Sequence, residues 1–349
     1  MSEELFAPLK IPESSGSDGE SGIDPAERVG VRSPVVAVVV THNRKALLVR
    51  CLEALLAQDA PCDIAIVDNA STDGTKELLA ERGFLGCPRI HYLRLVDNIG
   101  GAGGFHRGVK FALSMGWEWL WLMDDDSLPR KTALGCLLEH ASRGNDVYAS
   151  VALGTEDGLP RLSTPTAPVG GMGQTMMDYD ELSQPVLEVS ALPFVGFFIH
   201  RDLASRIGPP RPDLFIYWDD LEYTMRSRRA GARTFLVRDS VIDHPLPPRR
   251  VFRFLGRDVV YRSLPPWKVY FDARNKIIVT REYQGVGLLP ITVAGILFRA
   301  IRDCLFRSDP LKFFIAYGLG CMDGILNRPG LNAPRALRML PVSAGVANG

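Results

Sequence analysis

Apolar residues fall along this chain in two periods. Short continuous runs rich in β-branched and aromatic residues read as buried parallel strands. They are Val35–Val40, Ile64–Val67, Ile90–Leu95 and the apolar part of Trp117–Asp126. Between them the period lengthens. Lys45–Gln58 puts Leu48, Cys51, Leu52, Leu55 and Leu56 on one helical face, and further helices are predicted over Thr75–Arg82 and Phe105–Met115. Strand alternating with helix predicts an α/β fold, a mostly parallel sheet with right-handed crossovers and helices on its faces. Each strand runs into polar residues: Thr41 to Arg44, Asp68 to Gly74, Asp97-Asn98, and Asp124-Asp125-Asp126. These ends are expected along one edge.

Beyond Asp126 the pattern predicts a helix over Lys131–His140. Residues 147–193, rich in Gly, Pro, Thr and Met, read as loops and short strands walling the site. Phe194–Ile199 reads as a strand, with Gly196 where another segment passes closely. In Phe215–Arg226 an aromatic cluster precedes Asp219-Asp220, and one of these aspartates is expected to cap a helix over Leu221–Ala230. That helix ends at Gly231. Thr234–Val237 and Ser240–Ile242 read as short strands, followed by His244. Near the end, Gly285–Phe298 is apolar but interrupted by Pro290. With Phe313–Tyr317 and the flanking Arg299, Arg302, Arg307 and Lys312, it predicts amphipathic helices. These would lie on a bilayer, pack against the rest of the chain, or both. Residues 1–32 contain ESSGSDGESG, which cannot bury a core and is expected to be disordered. The expected division is therefore a tail at 1–32, a sheet domain at 33–245 and a mostly helical region at 246–349.

Charge sharpens this division. The 349 residues carry no net charge, yet from Pro245 onward there are 16 Lys+Arg against 6 Asp+Glu. A basic, apolar C-terminal region points to an anionic membrane surface or an anionic lipid substrate, or to a basic surface with no partner. The acidic remainder disfavours nucleic acid. Six scattered cysteines form no Cys-x-x-Cys pair, and the start shows no secretory pattern, so a reducing cytoplasm is expected. No unbroken apolar run is long enough to span a bilayer.

Three adjacent carboxylates at a strand's C-terminal end sit where open α/β sheets bind ligands. They repel one another unless a cation shares them, which suits Mg²⁺ or Mn²⁺ together with a substrate's phosphates. The alternative is a solvated acidic turn. Glycine-based phosphate sites fit poorly. Gly101-Ala102-Gly103-Gly104-Phe105-His106 has His where a Rossmann fingerprint needs its last Gly, and no Gly-Lys-Ser/Thr is present for a Walker loop. A carboxylate scheme, with one carboxylate reading the base and ribose and a metal holding the diphosphate, has its parts in Asp68, Asn98 and the aspartate triplet.

Five ordered motifs carry a resemblance: V-x-V-V-V-T-H-N-R, V-D-N-A-S-T-D-G-T, D-N-I-G-G-A-G-G-F, W-L-M-D-D-D and Y-W-D-D-L-E-Y. A sixth element, Tyr270-Phe271-Asp272-Ala273-Arg274-Asn275, adds to it. Together they resemble the inverting nucleotide-sugar glycosyltransferases of the GT-A fold, most of all the bacterial galactofuranosyltransferases and next the rhamnosyltransferases. The resemblance implies a Rossmann-like GT-A catalytic domain. Thr41, Arg44, Asp68 and Asn98 would contact the nucleotide, and Asp124 and Asp125 would lie by the donor. Asp126 and His244 would bind Mn²⁺ or Mg²⁺, although His244 stands in an unusual Asp-His-Pro context. Asp220 would be the general base, with Trp218 and Asp219 on the acceptor side. The donor would be UDP-galactofuranose, or alternatively dTDP-rhamnose, and the acceptor a lipid-linked glycan at the inner face of the cell membrane. A non-catalytic nucleotide- or carbohydrate-binding module would need this constellation to be broken. Oligomeric state is left open.

Overall fold

The computed structural model describes residues 33–141, 144–156, 158–169, 176–254 and 257–330. The tail expected at 1–32 and the end of the helical region from 331 onward lie outside the described residues. The strands are β1 (Val35–Thr41), β2 (Asp63–Asp68), β3 (Ile90–Arg94), β4 (Trp119–Asp124), β5 (Leu128–Pro129), β6 (Val147–Glu156), β7 (Leu159–Thr166), β8 (Met176–Asp178), β9 (Val186–Glu188), β10 (Phe197–His200), β11 (Thr234–Asp243), β12 (Arg249–Phe254) and β13 (Arg257–Arg262). The main sheet has the order β3-β2-β1-β4-β10-β6-β11-β5, with β7, β8 and β9 attached to its side, and β12–β13 form a separate hairpin.

β1 pairs in parallel with β2 and β4, and β2 with β3, as the alternating pattern requires. Both faces of this half are buried. Val36, Val38 and Val40 pack under α3 (Gly100–Met115), while Val35, Ala37 and Val39 pack under α1 (Lys45–Leu56). α2 (Thr75–Glu81) and α4 (Ala133–His140) occupy the other predicted helical stretches. The sheet is nevertheless mixed. β10 runs antiparallel to both β4 and β6. β9 is antiparallel to β11, which is parallel to β6, so β9 and β10 share a direction. The chain passes from one to the other with no intervening helix to turn it back.

Other differences have local causes. α3 begins at Gly100, five residues before the expected start. Glycine's poor helix propensity disguises the first turns, but close packing demands it there. A Cβ on Gly104 would stand 2.4 Å from Val40 Cγ1, and one on Gly108 2.3 Å from Val38 Cγ1. Residues 147–193 hold more than short strands, because β6 is ten residues long and lies inside the sheet. The two short strands expected before His244 are one strand, β11, with an irregularity between Val237 and Val241. Gly196 does mark a close approach: its φ is +84°, and a Cβ there would meet Ser150 and Ile242.

The C-terminal region supplies α7 (Pro266–Val279), α8 (Leu289–Phe306) and α9 (Pro310–Ile325), with α5 (Arg201–Ile207) and α6 (Asp219–Arg229) preceding it in the sheet region. Pro290 starts α8 rather than breaking it, since a first-turn proline has no hydrogen bond to lose.

Candidate active site

Thr41 ends β1, Asp68 ends β2 and Asp124 ends β4, so parallel pairing brings them to one edge of the sheet. The aspartate triplet then divides by direction. Asp125 turns inward, buried, where it accepts from Thr41 Oγ1 at 2.7 Å and pairs with Arg44 at 3.3 Å. Burial pushes its carboxyl up to about 6 against the opposing pull of Arg44. Asp126 pairs with Arg44 Nη1 at 2.8 Å and faces His244 Nε2 at 3.2 Å. Asp124, Asp126 and His244 each offer a ligand atom, all within 4.8 Å of one another.

Asp68 is buried and already holds Ser71 N at 2.8 Å and the Tyr92 hydroxyl. Asn98 is exposed and accepts from Gly100 N at 2.9 Å, at the head of α3. The neighbouring Asn69 also secures that turn, donating to Gly100 O and accepting from Ile99 N.

His244 follows β11, anchored by its N–H to Leu153 O at 2.7 Å. Its Nδ1 lies 2.8 Å from Ser163 Oγ and 2.9 Å from Pro245 O. If Nδ1 carries the proton and donates to that carbonyl, the Nε2 lone pair faces the carboxylates. Burial lowers the imidazole's pKa, but the Asp126 and Asp124 charges outweigh it and hold the ring above its ordinary value. Burial likewise opposes ionisation of Asp126, yet His244 and Arg44 keep that carboxyl below its usual range. Burial, then the Asp126 and Asp125 charges, push Asp124 well up. Asp126 Oδ1 is buried and makes no hydrogen bond of acceptable geometry. A buried carboxylate oxygen facing an imidazole nitrogen, beside a crowded second carboxylate, forms a donor set with the chemistry to hold a divalent cation.

The second part of the site comes from the loop before α6. Phe215, Tyr217 and Trp218 have φ of 65°, 66° and 70°, each costing about 1–3 kcal/mol for a bulky residue. α7 holds this loop in place. Asn275 Nδ2 donates to the carbonyls of Leu214, Ile216 and Tyr217 at 2.8, 3.0 and 2.9 Å, and Arg274 Nη2 donates to those of Asp213 and Leu214. The aromatic-x-x-Arg-Asn element is therefore a splint. The expected aspartate cap of α6 is not formed: Trp218, in the left-handed region, occupies the cap position without a side-chain bond. Asp220 instead accepts from Leu221 N at 2.7 Å within the first turn, where the helix dipole favours an anion.

Asp220, Trp218 and Tyr217 line a cavity of about 280 Å³, together with Ser150, Thr164, Leu192, Arg262 and Asp272. Asp219 does not line it. Burial, then Asp220's charge, push Asp219 up to about 8. Burial also raises Asp220, while the Leu221 amide and Arg262 pull the other way. Trp218 Nε1 donates to Asp272 Oδ1 at 2.9 Å, and Arg299 Nη1 holds the other oxygen at 2.6 Å. The two parts of the site are electrostatically joined, since the charge of Asp219 acts on Asp124 and that of Asp124 on Tyr217.

A family model described as Glycosyl transferase family 2 matches residues 36–201. Galactofuranosyltransferase GlfT1 of Mycobacterium tuberculosis (strain ATCC 25618 / H37Rv) is 31% identical over 247 residues, 69% of this chain and 80% of that protein. The chain belongs to glycosyl transferase family 2. GlfT1 of Mycolicibacterium smegmatis is 33% identical over 205 residues, 56% of this chain and 66% of that one. The dTDP-rhamnosyl transferase RfbF of Shigella flexneri is 22% identical over 300 residues, 84% of this chain and 96% of that protein. Among solved structures, GalNAc-T7 with UDP, GalNAc and Mn²⁺ superposes with a TM-score of 0.53 at 15% identity, over 73% of this chain and about half (49%) of that one. That likeness shows a shared GT-A fold.

As a family 2 glycosyltransferase the chain is an enzyme, and the reading as a non-catalytic module falls. Several site residues had escaped the sequence reading. Ser163 on β7 lies in a stretch without legible periodicity. Arg262 and Lys268 belong to a C-terminal region whose only local signal was an excess of positive charge. Asp272 stood inside the Tyr270–Asn275 element, but only the fold shows that it meets Trp218.

Proposed function

We propose that this glycosyltransferase moves galactofuranose from UDP-galactofuranose to a hydroxyl of a lipid-linked cell-wall or polysaccharide glycan, in one displacement with inversion. The observation that carries this reading is the pairing of a carboxylate–histidine group at the sheet edge with a cavity lined by a separate, half-buried aspartate, Asp220. Thr41, Arg44, Asp68 and Asn98 would contact the nucleotide, with Asp125 bracing Arg44 from below. Asp124, Asp126 and His244 would hold Mn²⁺ or Mg²⁺. When bound, the cation offsets the negative charge that grows on the departing diphosphate.

Asp220 takes the proton of the acceptor hydroxyl as the new C–O bond forms and the bond to the diphosphate breaks. Its burial suits this role, because a carboxylate raised toward neutral pH accepts a proton more readily than an exposed one. Trp218, held by Asp272, offers an aromatic wall for the acceptor sugar, and the buried Asp219 follows it at the first position of α6. Identity, 31% against 22%, favours the galactofuranosyl donor over dTDP-rhamnose.

The acceptor reading is supported by α8 and α9. Ile291, Phe298, Ile301 and Leu305 recur at helical spacing on α8 and are exposed, Ile291 by 71% and Leu305 by 70%; on α9 Leu311 and Phe314 are exposed as well. Ile296, Ala300 and Phe313 face the interior. No helix among the described residues is long and apolar enough to cross a membrane. We infer that these helices rest on the inner face of the cell membrane, where a lipid-linked acceptor is found.

The deciding experiment incubates the protein with a panel of sugar nucleotides and a synthetic lipid-linked acceptor, read by mass spectrometry. Galactofuranose transfer that stops with excess chelator and returns with Mn²⁺ or Mg²⁺ is expected. Transfer of rhamnose alone refutes the donor assignment, and full activity in chelator refutes the metal. Sedimentation with anionic vesicles at moderate salt checks the membrane contact, which a wholly soluble protein would contradict.

A further inference from the structure

Three cations crowd this site, and among the described residues two of them form no ion pair. Arg44 pairs with Asp125 and Asp126. Arg262 ends β13 and lines the Asp220 cavity, its guanidinium 5.1 Å from the centre of the Tyr217 ring. Lys268 lies in the first turn of α7, its ammonium 5.8 Å from the same ring. Among the described residues neither Arg262 nor Lys268 forms an ion pair, whereas the nearby Arg226, Arg211 and Arg299 each hold a carboxylate.

The crowding is real in its electrostatic effect. Burial first, then the Arg44 and Arg262 charges, depress the Lys268 ammonium, against the pull of Asp124 and Asp126. Placing a lysine within reach of two guanidiniums in a partly buried cleft is unfavourable unless an anion joins them. Tyr217 makes the arrangement durable. Its ring faces both cations, and its strained backbone is pinned by Asn275. The charges of Asp124 and Asp126 reach Lys268, and Arg262 lines the Asp220 cavity.

We propose that Arg262 and Lys268, from the segment that follows the core sheet, bind the diphosphate of the sugar donor and close the cleft between the cation site and Asp220. This rests on the donor reading above. A lipid acceptor carries the same chemical group, a diphosphate, but Arg44 and the strand-end carboxylates beside the cluster favour the nucleotide as its source. The C-terminal region then acts in donor binding as well as on the acceptor side.

The test measures binding by calorimetry, with Mn²⁺ present and again in chelator, for uridine, UDP, dTDP and farnesyl diphosphate. Wild type is compared with R262Q, K268Q and the charge-retaining K268R, each checked for an unchanged melting temperature. Loss of one charge-assisted phosphate contact corresponds to about 10- to 100-fold in affinity. R262Q and K268Q are expected to weaken nucleoside diphosphate binding by that factor, in chelator too, while uridine binding stays as in wild type and K268R stays close to it. Wild-type UDP and dTDP affinities in both Gln variants overturn this inference alone. Weakened farnesyl diphosphate binding with nucleotide binding intact overturns it in favour of the lipid. A wild type that binds no nucleoside diphosphate overturns the donor reading, and this inference with it.

Discussion

The two sides of the active site are built differently. On the side proposed for the nucleotide, Thr41, Asp68 and Asp124 are strand ends, brought together by parallel pairing of β1, β2 and β4. No side chain needs special support to reach the edge, because the hydrophobic runs behind it set register and direction. On the side proposed for the acceptor, Trp218 ends a loop with three non-glycine residues at positive φ, and Asp220 follows it in the first turn of α6. That loop is held by hydrogen bonds from Asn275 and Arg274, on a helix far along the chain. The strand-end group therefore rests on a robust sheet, whereas the cavity-lining group rests on a strained element kept in place by distant groups. Such strain persists only where the surroundings over-determine it.

The largest expected effect separates the sides most sharply. Asp220→Asn should lower transfer by about 10²- to 10⁴-fold while leaving nucleotide affinity as in wild type. Near-normal turnover in that variant would dismiss Asp220 as base. As the proposed base, the same residue should set the acid limb of the wild-type profile. Its carboxyl is raised, so kcat/KM should fall as pH drops through a midpoint above the ordinary carboxylate value of about 4.

Asn275→Ala probes the splint. It strands carbonyls of the strained loop, each costing about 1–3 kcal/mol when buried and unpaired. Stability by denaturant titration and kcat should both drop, with UDP binding changed far less. Equal losses on the two sides would break the contrast drawn here.

Asp219→Asn should act in the opposite direction on stability. Its folded carboxyl titrates at about 8, far above an unfolded value of about 4. The protonated form is thus favoured by folding, and wild type loses that stability as pH rises from about 4 to 8. The variant should melt higher than wild type near pH 8, and the gap should close toward pH 4. A gap that widens on acidification would mean that Asp219 is held ionised.

Gly104→Ala has the smallest expected effect and lies on the sheet side. A Cβ 2.4 Å from Val40 Cγ1 should cost about 1–3 kcal/mol of overpacking, offset in part by up to about 1 kcal/mol of helix propensity. A modest drop in melting temperature is expected, and a rise would show that α3 has room to shift.

The legibility of this protein follows the same divide. The alternating strands and helices from Val35 to Asp126, the aspartate triplet and Gly196 were readable, because hydrophobic period and glycine sterics act over a few residues. The start of α3 was misread, since glycines that look like a loop are there for close packing, Gly100 against Phe215 and Gly104 against Val40. β6 was missed as a central strand, because its place depends on β10 and β11 pairing with it from far along the chain. By itself, the sequence determined the parallel half of the sheet, the acidic edge and the family. Only the tertiary structure decided that Asp125 faces inward, that Asp220 rather than Asp219 lines the cavity, and that Arg262, Lys268 and Asn275 converge on Tyr217. Those outcomes depend on long-range hydrogen bonds, burial and charge crowding, and no local pattern of residues encodes them.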